Sequence, residues 1–127
     1  MLRACARLLR PGGRIAFFTI EVAPDLSPDD HRIAAAAGPP VAEGPDISEQ
    51  LRRAHFVDVM REDRSSEYLE TARRWLDARL RLRDTIRPVD PAVYDDRIRD
   101  GQTAVPLIEQ GLLRRNLYVA RLSGAAT

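Results

Sequence analysis

Two polar side chains that follow an apolar run are the first candidates for chemistry in this sequence. Thr19 and Glu21 stand at the end of the segment 15–20, IAFFTI. In open α/β sheets ligands bind outside the carboxyl ends of the strands, so both residues are expected near any pocket. Glu21 could orient or deprotonate a bound small molecule, although a carboxylate at the start of a loop is more often simply solvated.

Two aromatic side chains form a second set of candidates. Tyr68 and Trp75 are separated by two helical turns, which places both on one face of a helix. They could line a substrate pocket, whereas an aromatic stripe at this spacing more often belongs to a hydrophobic core.

The remaining reactive residues offer less. Neither His31 nor His55 has a nucleophile or a metal ligand at a helpful spacing, so structural or surface roles are expected for both. Arg114 and Arg115 could contact an acidic substrate, but their position at the start of a strand favours solvation. Cys5 is the single cysteine, which excludes an internal disulfide. The sequence contains no nucleophile elbow, P-loop or zinc pattern.

Composition limits the function classes. The chain has 127 residues, a net charge of +1 and 20 basic residues, all arginine, which are interleaved with 19 acidic ones. A nucleic-acid binder would show clustered, unbalanced basic charge, so this class is disfavoured. No apolar run approaches the roughly 20 residues of a membrane helix, and no secretory cleavage site is present. We therefore expect a cytoplasmic protein that does not bind membranes.

One segment, 8–21, determines how the candidates are placed. In LLRPGGRIAFFTIE, Pro11, Gly12 and Gly13 end a helix and form a turn, because proline lacks an N–H and glycine tolerates positive φ. The apolar run that follows predicts a strand over 14–21 that is covered on both faces. The helix before it, over 1–10, has no capping residue ahead of it, which indicates truncation.

The middle of the chain is interpreted from caps and periodicity. Ser27-Pro28 predicts a helix that starts there and runs through Ala37, followed by a loop over 38–45. Asp46 predicts the cap of a second helix, with Glu49 in a capping box, that runs to residue 55. An imperfect alternation over 56–63 predicts a strand.

The last half of the chain is predicted to be mostly helical. A long helix over 66–86 is closed by Pro88, and Asp90-Pro91 starts another helix. We expect this second helix to be kinked or broken between Gly101 and Pro106. A strand over 112–122 follows, and 123–127 is expected to be a frayed tail.

Three segments in this order resemble class I S-adenosylmethionine-dependent methyltransferases. Segment 8–18, LLRPGGRIAFF, resembles the family's proline-glycine-glycine motif before the fifth strand. Segment 50–59, QLRRAHFVDV, resembles the stretch that leads into the sixth strand, with His55 where the family usually has glycine. Segment 111–120, GLLRRNLYVA, resembles the seventh strand, which in that family runs antiparallel between the fifth and the sixth.

The resemblance implies the C-terminal half of such an enzyme only. In this family a glycine-rich loop after the first strand, an acidic residue ending the second and contacts after the fourth hold the cofactor. The sequence contains no counterpart of the glycine-rich motif G-x-G-x-x-G. S-adenosylmethionine is therefore implied as the family's cofactor, and this chain alone is not expected to bind it.

The expected fold is one partial α/β domain over 1–127. It consists of the C-terminal part of a Rossmann-like methyltransferase sheet, with strands near 14–21, 56–62 and 114–122, the last antiparallel to the others. The sheet and its covering helices take up 1–63 and 112–122. A helical insertion occupies 64–111, where it resembles the insertion that helps to cover the substrate in many small-molecule methyltransferases.

Three functional hypotheses follow. The first is the acceptor-side portion of a small-molecule methyltransferase, truncated and inactive alone, with Thr19, Glu21, Tyr68 and Trp75 as substrate-pocket candidates and no identified catalytic residue. The second is a non-catalytic interaction module that pairs with another chain through the open edge of the first strand. Pairing with the missing half, or self-association, is the partner expectation for the chain. An arginine-rich nucleic-acid binder is a third, which the charge balance disfavours.

Overall fold

The computed structural model of the chain describes residues 1–37 and 46–124. Helices and strands follow one another in the order helix, strand, two helices, strand, a helical block, strand. The elements are α1 (Leu2–Leu8), β1 (Arg14–Val22), α2 (Pro28–Ala35), α3 (Ile47–Arg53), β2 (Phe56–Asp63), α4 (Ser65–Arg81), α5 (Arg83–Ile86), a 3-10 turn (Arg87–Val89), α6 (Pro91–Glu109) and β3 (Leu113–Leu122).

The three strands form one sheet in the order β1–β3–β2. β3 runs antiparallel to both neighbours, so β1 and β2 point in the same direction. This confirms the expected fold, in which the last strand lies between the first two. Within the described residues, the outer edge of β1 has no strand partner.

One face of the sheet, here called the front face, carries the odd-numbered side chains of β1. Ile15 and Phe17 pack there against α1 and α3, and the ring of Phe17 stacks on Tyr118 with the ring centroids 5.5 Å apart. The buried residues of this cluster are Leu2, Leu51, Ala54, Phe56, Tyr118 and Ala120.

The opposite, back face is covered over only part of its length. Ile20 and Val22 of β1 pack against the cluster formed by α2, α4 and α6. Phe18, by contrast, is 51% exposed. The prediction that β1 is covered on both faces is therefore confirmed near its carboxyl end and wrong near its start. The apolar run alone does not distinguish the two parts, because the covering helices are distant in the sequence.

Local capping chemistry was predicted correctly for three helices. Ser27 Oγ accepts a hydrogen bond from the Asp30 N–H at 3.1 Å. Asp46 Oδ1 accepts one from the Ser48 N–H at 2.8 Å. Asp90 Oδ1 accepts one from the Val93 N–H at 3.2 Å. These bonds satisfy N–H groups that have no partner inside the helix. They fix where α2, α3 and α6 begin.

The expected break in α6 is wrong, because α6 continues through both Gly101 and Pro106, whereas the expected kink stays a prediction. An interior proline removes one helical hydrogen bond and costs about 3 kcal/mol. The helix side next to it buries Ala104, Leu107 and Ile108 against the back-face cluster. Burying a large aliphatic side chain contributes about 1.5–3 kcal/mol, so the packing of α6 offsets the proline.

The imperfect alternation of β2 has a structural cause. The pairing with β3 shifts between Val57 and Met60, and Asp58 has φ 53. Such a bulge moves the following side chains to the other face. Next to it, His55 has φ 69 at the position that resembles the family's glycine, a conformation that histidine tolerates at a cost of about 1 kcal/mol.

Two expectations concern residues beyond these elements. The helix that was expected to run through Ala37 ends at Ala35. The predicted glycine-proline stop at 38–40, the loop to 45 and residues 125–127 of the tail lie outside the described residues. Among the helices in the described ranges, none has the length and apolar character needed to cross a bilayer.

Candidate functional site

The front face becomes polar towards the carboxyl end of β1. Along this strand the inward side chains change from Phe17 to Thr19 and Glu21. Directly opposite on β3, Thr19 faces Asn116 and Glu21 faces Arg114. Directly opposed residues of antiparallel strands project to the same face, so the four side chains are neighbours above the sheet.

β2 extends this polar surface on the other side of β3. Arg61 lies opposite Tyr118, and Asp63 lies opposite Asn116. Three strands therefore contribute polar side chains to one end of the front face.

Glu21 is the centre of the hydrogen bonds at this end. Its Oε2 accepts bonds from Thr19 Oγ1 at 2.5 Å, from Asn116 Nδ2 at 2.7 Å and from Tyr118 Oη at 2.8 Å. Bonds to an ionised carboxylate are stronger than those between neutral groups. The carboxylate is thus held in one orientation by donors of two strands.

Tyr118 connects this carboxylate with the hydrophobic core. Its side chain is fully buried between β1 and β2. Burial, and secondly the hydrogen bond and the charge of Glu21, raise the pKa of the Tyr118 hydroxyl well above its ordinary value. The hydroxyl therefore stays protonated and acts as a donor to Glu21.

A cleft of about 850 Å³ opens above these residues at the carboxyl end of β1. Its lining consists of Asn116, Ile47, the apolar residues of segment 22–26 and seven titratable side chains. These are the carboxylates of Glu21, Asp25, Asp46 and Asp63, the guanidinium groups of Arg61 and Arg114, and the imidazole of His31. The lining suits a polar small molecule.

Asp63 also has a structural role. Its Oδ1 accepts a hydrogen bond from the Ser65 N–H at 2.8 Å at the start of α4. Hydrogen bonds from Ser65 are the main cause that lowers the pKa of Asp63, with smaller contributions from the charges of Arg114 and Arg61. Asp63 therefore remains ionised in the cleft.

Of the four predicted pocket residues, only Thr19 and Glu21 come together. Tyr68 lies at the back face, where the Arg115 guanidinium lies between its ring at 5.3 Å and the ring of Phe18 at 4.2 Å. Burial raises the pKa of Tyr68. Trp75 is 55% exposed and lies near Arg79. A substrate-lining role for these two aromatic residues stays a prediction.

The described residues contain no group of three or more side chains suited to hold a metal ion. The two histidines lie in different parts of the structure. His31 lines the cleft, whereas His55 occupies the turn between α3 and β2.

Comparison of the sequence with family models gives no match, and the same is true for curated proteins. Comparison with solved structures, by contrast, gives several matches. Phosphoethanolamine N-methyltransferase 2 from Haemonchus contortus, in complex with phosphomonomethylethanolamine and S-adenosylhomocysteine, matches 96% of this chain with a TM-score of 0.68 and 17% identity. A cyclopropane synthase from Mycobacterium tuberculosis matches 94% of it with a TM-score of 0.73 and 17% identity.

A third similar structure is a protein described as a sarcosine dimethylglycine methyltransferase from Galdieria sulphuraria, with a TM-score of 0.74, 13% identity and 97% of this chain covered. The chain has the fold of part of an S-adenosylmethionine-dependent methyltransferase. It spans only 29%, 48% and 46% of the three proteins. At these identities the likeness establishes the methyltransferase fold and no more.

Two residues that bond to Glu21 at this site were not predicted from the sequence. Asn116 and Tyr118 lie 95 and 97 residues after Glu21 along the chain. The sequence does contain a signal for them, because Arg114, Asn116 and Tyr118 alternate along β3 and alternate residues of a strand lie on the same face of the sheet. Pairing β1 with β3 on the resemblance would have placed these side chains opposite Thr19 and Glu21.

Proposed function

We propose that this chain forms the acceptor side of a small-molecule methyltransferase domain, with the acceptor bound in the cleft beside Glu21, whose carboxylate Thr19 helps to orient. The observation that supports this best is the Glu21 carboxylate, which three donors hold at the cleft. A fixed carboxylate orients an acceptor by accepting a hydrogen bond from its N–H or O–H group. Orientation of the reacting group is a large part of catalysis of group transfer.

The similar proteins support the kind of ligand. The Haemonchus contortus enzyme was solved with a small phosphorylated amine, and a second structure of it contains S-adenosyl-L-methionine. The polar lining of the cleft in this chain agrees with a small, hydrophilic acceptor.

Among the described residues, no glycine lies at a turn that leads from a strand into a helix. A dinucleotide or nucleoside cofactor is bound at a glycine-rich turn that leads from a strand into a helix. Gly12 and Gly111 have φ 82 and 75, but both lie at turns that lead from a helix into a strand. We propose that the cofactor site is supplied from outside these 127 residues and that the chain alone is inactive.

The first test is isothermal titration of the purified chain with S-adenosylmethionine. We expect no binding heat, because the sequence contains no cofactor turn. Saturable binding would contradict the proposal that this is a partial domain.

The second test concerns Glu21 in a complete domain. An in-frame glycine-rich cofactor motif in the DNA immediately upstream of Met1 would provide such a domain for expression. Glu21→Gln should then lower methyl transfer by about tenfold or more, since hydrogen bonds to charged groups contribute about 1.5–3 kcal/mol. Glu49→Gln, an exposed carboxylate that pairs with Arg53 on α3, is the matched control and should leave the rate unchanged.

A second candidate function is an interaction module that pairs through β1. A groove of about 450 Å³ lies beside this strand and is lined largely by apolar groups, among them Leu2, Phe17 and Phe18. Absence of a cofactor motif from the upstream DNA would favour this function. The cytoplasmic location expected from the sequence also stays a prediction.

A further inference from the structure

Arg114 and Glu21 have opposite charges and lie directly opposite each other on β3 and β1. Such cross-strand pairs usually attract each other and contribute about 0.2–1 kcal/mol. Here Oε2 of Glu21 instead accepts hydrogen bonds from Thr19, Asn116 and Tyr118. Among the described residues Arg114 forms no salt bridge, although its charge interacts favourably with that of Asp63 and contributes to the lowered pKa of that carboxyl. The guanidinium group therefore faces the same cleft as the fixed carboxylate without a directly bonded counter-ion.

Two other carboxylates that line the cleft also accept hydrogen bonds. Asp63 Oδ1 accepts a bond from the Ser65 N–H, and Asp46 Oδ1 accepts one from the Ser48 N–H, each at 2.8 Å. Since carboxylates surround much of the cleft, an anionic group is attracted only next to Arg114 or Arg61.

We infer that Arg114 binds an oxyanion of the acceptor, a carboxylate or a phosphate, while Glu21 receives a hydrogen-bond donor of the same molecule. This inference rests on the proposed function and names the class of acceptor: a small molecule with an oxyanion and a donor group a short distance apart. The guanidinium of arginine matches both oxyanions because it presents parallel N–H donors.

Arg61 has a weaker, supporting role. It lines the same cleft, but its register position opposite Tyr118 is four residues from Arg114 along β3. At about 3.4 Å per residue the two positions are roughly 14 Å apart along the strand direction. Arg61 therefore adds long-range attraction for an anion, while Arg114 contacts it next to Glu21.

The test is an NMR titration of the arginine Nε–H groups of the full chain. Sodium phosphate and sodium acetate serve as the two probes, with sodium chloride at equal ionic strength as the reference. We expect a saturable shift of the Arg114 Nε–H signal with at least one probe, and the probe that binds more tightly distinguishes phosphate from carboxylate. Shifts that sodium chloride reproduces, or none that saturate, would overturn the inference.

Variants locate the binding. Arg114→Gln should weaken it by about tenfold, which corresponds to 1.4 kcal/mol, and Arg61→Gln should weaken it less. Arg114→Lys should fall between wild type and Arg114→Gln, because it keeps the charge and loses the planar donors. Arg74→Gln is the control, since Arg74 is exposed on α4 and pairs with Glu70. Equal losses in the Arg114 and Arg74 variants would contradict a defined subsite.

The side chain of Arg114 is exposed, so its substitution removes no core contact, and an unchanged amide spectrum verifies the fold. The two proposals fail separately. Saturable binding at Arg114 with no effect of Glu21→Gln on methyl transfer retains the oxyanion subsite and refutes the proposed function. If Glu21→Gln lowers methyl transfer but no oxyanion binds at Arg114, only the proposal of an oxyanion subsite is refuted.

Discussion

Tyr118 couples the hydrophobic core to the candidate site. Its ring stacks on Phe17 in the front-face cluster, and its hydroxyl donates to Glu21 at 2.8 Å. A buried hydroxyl that bonds a carboxylate stabilises both the fold and the orientation of that carboxylate.

We predict that Tyr118→Phe lowers the free energy of unfolding by about 1–3 kcal/mol at neutral pH. The substitution keeps the ring and removes one of three donors to the Glu21 carboxylate, and a hydrogen bond to a charged group contributes about 1.5–3 kcal/mol. Urea denaturation monitored by circular dichroism measures the change. An unchanged midpoint would mean that water replaces the hydroxyl at no cost.

We predict that Tyr118 makes the folded chain less stable at alkaline pH. The pKa of Tyr118 is raised in the folded chain above its ordinary value of 10.0, chiefly by burial. Above pH 10.0 the unfolded chain therefore loses a proton that the folded chain keeps, so stability falls as the pH rises. In urea titrations across this range, Tyr118→Phe should show a shallower decline than wild type; part of the decline should remain, because the pKa of Tyr68 is also raised. Parallel curves would contradict this assignment.

Residues of the candidate site could be predicted from the sequence only where their position within a single strand was enough to place them. Thr19 and Glu21 follow from the rule that ligands bind at the carboxyl ends of strands. Asn116 supports Glu21 from a strand 95 residues away, and no local pattern reveals which strand pairs with β1. Pairing of distant strands is the information that sequence periodicity lacks.

At the scale of elements, local chemistry again explains what could be foreseen. The starts of α2, α3 and α6 follow from capping residues that contact the next turn. The continuity of α6 was not foreseeable from Gly101 and Pro106. It depends on packing against α4 and the back-face cluster, which the sequence shows only once the fold is known.

Gly101 permits the close approach of α6 to α4. A Cβ at this position would lie 3.3 Å from Leu76 Cδ1 and 3.6 Å from Leu76 Cβ. The first distance is tighter than ordinary contact between carbon atoms. The glycine that suggested a break thus has a packing function instead.

We predict that Gly101→Val destabilises the chain by about 1–3 kcal/mol, the usual cost of overpacking. Gln102→Val is the matched control, because it places the same β-branched side chain at an exposed neighbouring position of α6. Thermal unfolding of both variants measures the difference. A Gly101 variant as stable as the Gln102 variant would show that Leu76 moves aside freely.

At the scale of the whole molecule, the main feature is the outer edge of β1, which has no strand partner among the described residues. The Leu122 N–H donates to the Gly13 carbonyl at 2.7 Å, and the Ala23 N–H donates to the Leu112 carbonyl at 2.9 Å. Odd-numbered backbone groups of β1 therefore point to β3, and those of Ala16, Phe18 and Ile20 point outward. An edge of this kind is a template for pairing with another strand.

We predict that the purified chain self-associates and that Ala16→Pro weakens this association by about tenfold. Proline at this exposed position removes an outward N–H without affecting the bonds to β3, and edge strands tolerate proline. Sedimentation at several concentrations measures the effect. Ile15→Pro is the contrasting variant and should unfold the chain, because it removes an N–H that points to β3. Undiminished association of a folded Ala16→Pro variant would exclude pairing through this edge.

The central place of β3 has a consequence for folding during synthesis. β1 and β2 do not pair with each other, and both pair with β3, which follows them in the sequence. The pairing of these three strands therefore cannot form until residues 113–122 have left the ribosome. Until then β1 and β2 lack their common partner β3, and long-range strand pairing is slow. Nascent chains stalled before β3 should consequently bind chaperones, whereas those released with β3 should not.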